Sequence, residues 1–437
     1  TPVPTEVNDM RRFLFAFGFT LAGSVIADTP GLSDIYNLAV ANDPALRIEQ
    51  ALRDSAEASK NEAEASRWLD ASATVSHSYK NDSLADDSSD TGSASITLSM
   101  PVFDRPTTKA IESVRAGLRA ADARLRAYRQ THIVTVSKAY FDVLSAERDL
   151  QAAMAEVEAV TKQLEQATER LAVGIGTRVD VDQARAQLDL SKVGVISAEV
   201  SVERARADLG RMIGQEPEVL AELSEDYPAV LPPDFRSEIE LAVDRNPLVV
   251  EQSETYRSKL AEVAKASGER LPSLNLSSTY TISDLNASAS NNGLSRQDNV
   301  VSLSLSVPLF KSGGFEAVIA RAEAALMQQE AKLDQVRREV TRNIRIAYQD
   351  LEATVRTVDA RRFAIISAES RLEATEAAYA VGSGDIVEVL NAQKDLIAAE
   401  RDFAKARHTH VIRQLEFDEA LGDLSEAAIT RVDQYLQ

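Results

Sequence analysis

The decapeptide AVGIGTRVDV at residues 172–181 returns 208 residues later as AVGSGDIVEV at 380–389. The same offset relates Ala139-Tyr140 to Ala347-Tyr348 and Ile213-Gly214 to Leu421-Gly422. Further upstream the offset slips: SMPVF at 99–103 meets SVPLF at 306–310, and Asp43-Pro44 meets Asn246-Pro247. The slips fall around Asn/Ser/Asp/Gly-rich stretches, where loops tolerate changes of length. A tandem duplication of this size constrains the fold more than any other feature, because both halves must fold by one plan and pack against each other.

Each half reads in the same order. A helix of about 35 residues (33–68 and 236–270) carries an Asp-Pro or Asn-Pro start signal in its first turn. Two strands follow, at 71–79 and 93–103 in the first half and at 274–282 and 299–310 in the second. After each second strand comes a helix of roughly 65 residues, about 100 Å at 1.5 Å per residue. It ends at the glycine turn, from which a helix of roughly 35 residues returns. Ile111, Val114, Leu118, Ala121, Leu125 and Tyr128, then Leu150, Met154, Val157, Thr161, Leu164, Thr168 and Leu171, keep 3–4 spacing; Leu125 and Leu164 map onto Leu333 and Leu372. Helices of this length with one apolar seam and charge elsewhere pack as coiled coils.

Of the 437 residues 44% are hydrophobic but only 5% aromatic, which suits close-packed long helices. The formal charge of −20 opposes a phosphate-binding role, no basic stripe interleaves with aromatics, and nucleic acid is not expected as a partner. With no cysteine there is no disulfide, no thiolate chemistry and no lipid-anchored cysteine. Met10, Arg11 and Arg12, the apolar run Phe13–Ala22 and the small residues ending at Ala27 form a secretory signal peptide over 10–27, with residues 1–9 an extension upstream of it. His408 and His410 lie two apart, on different faces of a helix, whereas helical metal pairs need i, i+4 spacing. KSGGFE at 311–316 lacks the spacing and the ending of a phosphate loop. No enzyme, metal site or cofactor is expected.

The strands carry the most information. In VSLSLSV, Val301, Leu303, Leu305 and Val307 share one face while Ser302, Ser304 and Ser306 share the other. Four strands of about ten residues, each with one apolar and one hydroxylated face, match the length and period of transmembrane β-strands. Two ordinary hairpins of a soluble sheet would show the same alternation. Four strands do not close a barrel, however, and hydrocarbon tolerates no open edge, so a membrane reading forces oligomerisation.

Duplicated halves, each a strand–loop–strand ending in S-[MV]-P-[VL]-F and followed by a very long helix broken at A-V-G-x-G, resemble the TolC-type outer-membrane efflux protein family, in its non-lipidated branch. The resemblance covers nearly the whole mature chain. It implies a mainly α protomer contributing four strands to a β-barrel in the outer-membrane lipid, assembled as a homotrimer with a long helical barrel across the periplasm. The parts would be a first repeat at 28–214, a belt segment at 215–235, a second repeat at 236–422 and a C-terminal belt segment at 423–437. The function implied is a passive exit channel of a tripartite efflux pump or type I secretion system, with a periplasmic adaptor and an inner-membrane transporter as partners.

Under that resemblance each glycine turn is a hairpin tip at the periplasmic end and a contact for the adaptor, with Gly174, Gly176, Gly382 and Gly384 permitting positive φ. Glu388 and Asn391 fall where the family places two acidic rings at the entrance, so only one ring is charged here. Tyr379 and Asp180 fall at the positions of a Tyr–Asp link that holds the entrance shut. A second link uses an arginine where this chain has Gly384; Arg178 with Asp385 is the substitute the sequence offers, and Asp182 is expected to face solvent. A soluble periplasmic adaptor or coiled-coil scaffold is the other reading, since adaptors also join long hairpins to β modules. They usually carry one hairpin, and this chain duplicates the whole unit.

Overall fold

A computed structural model describes residues 29–82, 87–217, 219–232, 239–287 and 294–437. The signal-peptide segment 10–27 lies outside them. The order is α1 (Leu32–Asn42), α2 (Pro44–Ala65), β1 (Asp70–Asp82), β2 (Asp87–Phe103), α3 (Arg105–Ala172), α4 (Arg178–Ile213), then α5 (Ile239–Arg245), α6 (Pro247–Gly268), β3 (Ser273–Ala287), β4 (Leu294–Ser306), α7 (Gly314–Ala380), α8 (Ile386–Leu421) and α9 (Glu426–Asp433).

The helix expected over 33–68 is two helices, and so is its counterpart at 236–270. Pro44 has no N–H to give to the ladder and drives the preceding residue out of the helical region, so Asp43 adopts φ −66° and ψ 117°. Its carboxylate then caps α2 by accepting from the Ala45 amide at 2.9 Å. Asn246 does the same for α6, accepting from the Leu248 amide at 3.0 Å, while its Nδ2 donates to the Ala420 carbonyl near the end of α8. The Asp-Pro and Asn-Pro signals therefore start the second helix of each pair.

The long helices α3 and α7 run 68 and 67 residues and return through α4 and α8, of 36 residues each. A core sits midway along them. Tyr140, Phe141 and Leu144 of α3, Leu209 and Ile213 of α4, Val411 and Leu415 of α8, α1 and α9 close around it. The chain segments after Gly214 and Gly422 meet here: Glu222 and Gln437 exchange two backbone hydrogen bonds of 2.9 Å, and the Tyr140 hydroxyl donates to the Ala221 carbonyl at 2.7 Å. This girdle contains three buried histidines. His132 Nε2 lies 3.0 Å from Asp43, His408 Nδ1 3.0 Å from Ser145 Oγ, and His410 Nδ1 3.2 Å from Thr354 Oγ1.

The strands form one antiparallel sheet in the order β1-β2-β3-β4, so the two halves join through β2 and β3. The hairpins extend further into the polar loop sequences than expected: antiparallel backbone pairing continues to Asp82 with Asp87 and to Leu285 with Leu294. At the other end β4 stops at Ser306, two residues before Pro308, which cannot donate to a ladder. Register turns the sequence alternation into two faces. Leu303 pairs with Leu276, Leu276 with Met100, Tyr280 with Ile96 and Ala94 with Val75, an apolar surface running across all four strands. Ser302 pairs with Ser277 and Ser277 with Ser99 on the opposite face, where Ser76 and Ser93 hydroxyls lie 2.8 Å apart and Thr97 and Thr279 hydroxyls 3.2 Å apart.

Candidate functional site

The two glycine turns close the far ends of the α3–α4 and α7–α8 hairpins. In the first, the Ile175 and Gly176 amides both donate to the Arg170 carbonyl at 3.0 Å; in the second, the Ser383 and Gly384 amides donate to the Ala378 carbonyl at 3.0 and 3.1 Å. Gly174 and Gly382 adopt φ of +80° and +79°, the left-handed conformation glycine enters without strain. Gly176 and Gly384 do not, contrary to expectation. They are glycines for another reason: a Cβ at Gly176 would stand 2.9 Å from the Leu171 nitrogen, and one at Gly384 3.1 Å from the Tyr379 nitrogen.

After each turn a side chain starts the returning helix. Thr177 and Asp180 form a reciprocal capping box on α4, with bonds of 3.2 and 3.1 Å. Asp385 caps α8 by accepting from the Val387 amide at 3.1 Å. This explains why the sequence-based ion pair between Arg178 and Asp385 does not form in the protomer. Asp385 is turned to its own helix, and Arg178 lies 3.8 Å from Asp182, one turn along α4. Asp182, expected to face solvent, is exposed with that arginine as its neighbour. Glu388 and Asn391 are both exposed in the first two turns of α8 and share one helical face.

Tyr379 is placed differently from its neighbours. Only 7% of it is exposed, and it packs in a cluster with Val160 and Ala167 of α3 and Ile386, Val389 and Leu390 of α8. Among the described residues no hydrogen bond joins it to Asp180. The Arg170 guanidinium lies 4.4 Å over its ring instead, and Arg170 Nη1 donates to the Tyr379 carbonyl at 3.2 Å. Burial raises the Tyr379 pKa; the Arg170 cation works against that, while the carboxylates of Asp180 and Asp385 add to it. The sequence reading overlooked Arg170. The duplication gave no signal for it, since at the 208-residue offset Arg170 aligns with Ala378 and Tyr379 with Leu171; the pairing arises only where the two hairpin tips pack together.

Two amphipathic strand pairs, two hairpins near 100 Å long and a central girdle are therefore arranged along one axis. The family model of outer membrane efflux proteins matches residues 35–215 and 239–423, one match for each repeat. The chain belongs to the outer membrane efflux protein family. Outer membrane protein TolC of Vibrio cholerae is 31% identical to it, over 96% of this chain and 96% of its own. Alkaline protease secretion protein AprF of Pseudomonas aeruginosa is 26% identical, over 97% of this chain and 91% of its own. Among solved structures, the outer membrane protein VceC of Vibrio cholerae superposes with a TM-score of 0.76 at 19% identity, covering 90% of this chain and 96% of that one. Membership places the protein in the outer membrane of a Gram-negative bacterium as an exit channel for efflux or type I secretion. The soluble-adaptor reading falls, since both repeats match an outer-membrane family end to end.

Proposed function

We propose that three copies of this chain form one passive duct. A twelve-stranded barrel crosses the outer membrane, the hairpins cross the periplasm, and the glycine turns meet a periplasmic adaptor that links the duct to an inner-membrane transporter. The carrying observation is the sheet. Among the described residues its two outer strands, β1 and β4, have unpaired edges, and its apolar face is continuous, a combination that hydrocarbon accepts only in a closed barrel. Nothing in this reading requires catalysis, and the protein acts as a conduit rather than an enzyme.

The tips are the closing end. Three Glu388 carboxylates brought to one axis would form a ring with Asn391 one turn further along, and such a ring attracts cations into a narrow mouth. Planar-bilayer recording tests this. Glu388→Gln should relieve block by multivalent cations and Asn391→Asp should deepen it; identical block in both variants and the parent would remove the ring from the reading. Differential extraction tests the localisation in the same preparation, with detergent-requiring oligomers expected.

A further inference from the structure

The contact between Arg170 and Tyr379 ties the first hairpin to the second at their tips, and it differs in kind from everything around it. Tyr379 is the penultimate residue of α7, and its carbonyl already accepts the Gly382 amide at 3.1 Å as part of the turn. Arg170 stands in the last turn of α3, three residues after Ala167, on the face that α3 turns toward the second hairpin. One planar group therefore holds both the ring face and the main-chain carbonyl of a single residue, so it fixes the position of the turn and the rotamer of its side chain together. Around it the tip cluster, with Val160, Ala167, Leu372, Ile386 and Val389 among its members, is apolar packing with little directional preference, and polar ties between α3 and α8 such as Lys405 to Asp149 lie further toward the girdle. A directional contact set in apolar packing selects one arrangement. Of the other charged groups of the tips, Asp180 and Asp385 are held in caps, Arg178 lies beside Asp182, and Glu388 is exposed on the returning helix.

We propose that Arg170 is the latch of the periplasmic end: it positions Tyr379 and holds the second hairpin against the first in the closed arrangement, which opens when this contact is broken. The inference rests on the reading of the tips as the closing end of the duct. It differs from a hydroxyl link between Tyr379 and Asp180, because the latch uses the ring face and the carbonyl, not the phenol.

Single-channel recording of the purified full-length protein in planar bilayers separates these. Arg170→Met, which loses both the cation–π contact and the hydrogen bond, should raise open probability by roughly tenfold or more, and Tyr379→Leu, which loses the ring but keeps the carbonyl, should raise it in the same direction but less. Tyr379→Phe keeps ring and carbonyl and should behave as the parent. The double variant Arg170→Met/Tyr379→Leu should open no further than Arg170→Met alone, since that variant already removes both the ring contact and the hydrogen bond. Parental conductance in Arg170→Met overturns the latch, and so does full opening in Tyr379→Phe, which would assign closure to the phenol. If Arg170→Met does not assemble, the contrast between Tyr379→Leu and Tyr379→Phe still decides. Glu388→Gln recorded alongside distinguishes the two levels: altered cation block with no response at 170 and 379 removes the latch alone, and no response at any of the three removes the closing-end reading itself.

Discussion

At Gly174 and Gly382, φ is +80° and +79° and nothing stands within 4 Å of where a Cβ would be, so the turn needs the conformation and not the space. At Gly176 it needs the space, with the Leu171 nitrogen 2.9 Å from that point. The two requirements predict different substitution profiles. Gly174→Asn should cost little, because asparagine enters the left-handed region readily, and Gly174→Ala about 1–2 kcal/mol. At Gly176, asparagine should be no better than alanine, since any Cβ collides with backbone. Thermal unfolding of the four variants in detergent checks this by the rank order of the midpoints. The buried histidines act at the same scale. His408 is held at about 3, chiefly by burial and then by the cations of Arg407, Arg148 and Lys405, while in the unfolded chain it titrates near 6.5. The unfolded chain therefore binds its proton first, so the stability from the neutral ring is complete above about pH 6.5 and is lost as pH falls toward 3. Asp418 and Glu419 in the same girdle have pKa values raised by burial, and their contribution is lost instead as pH rises through those values. His408→Gln isolates the histidine. Its stability should fall less than the parent's between about pH 6.5 and 4 in parallel denaturant titrations; equal slopes would mean that the ring is not the sensor.

At the scale of elements, the strand register makes a sharper demand than composition does. Leu303 is 63% exposed in the protomer and joins Leu276 and Met100 on the apolar face, whereas Ser304 lies on the hydroxyl face. Arginine at Leu303 should cost roughly 2–4 kcal/mol near the bilayer midplane, and at Ser304 it should be tolerated. Folding titrations into lipid vesicles measure both, and equal costs would argue for a sheet with water on both sides. The elements themselves were largely legible in sequence, for identifiable reasons. A period of 2 in VSLSLSV and a 3–4 seam over dozens of residues are local patterns that long-range packing reinforces. What was not legible was tertiary. Asp43-Pro44 reads as a helix start, but that a separate α1 precedes it depends on Leu32, Ile35 and Tyr36 being buried in the girdle. The tip residues divide in the same way. The turns could be read from their glycines, while the pairing of Arg170 with Tyr379 crosses 209 positions and depends on how two coiled coils lie together. Within one protomer Arg178 and Asp385 stay apart for a local reason: Asp385 caps its own helix, and Arg178 lies beside Asp182.

For the whole molecule, the deciding quantity is the sheet edge. β1 and β4 are both 13 residues long and lie at opposite edges of one four-stranded sheet, so β4 of one copy matches β1 of the next in length, and the operation closes rather than continuing only if rotation brings the last copy back to the first. Within a protomer three strand spacings of about 4.8 Å keep β1 and β4 about 14 Å apart, beyond the roughly 7 Å a disulfide spans between Cα atoms. The natural sequence contains no cysteine, so engineered pairs report without background. Val75→Cys on β1 combined in turn with Val301→Cys, Leu303→Cys or Leu305→Cys on β4, all on the apolar face, should give oxidised products at dimer and trimer mass on denaturing gels for the partner nearest in register, and little for the others. The reaction requires two copies, and a closed ring of three allows no species above trimer. Bands extending past trimer would indicate an open array, and a cross-link confined to the monomer would mean that each chain curls its own sheet shut and that no shared barrel exists.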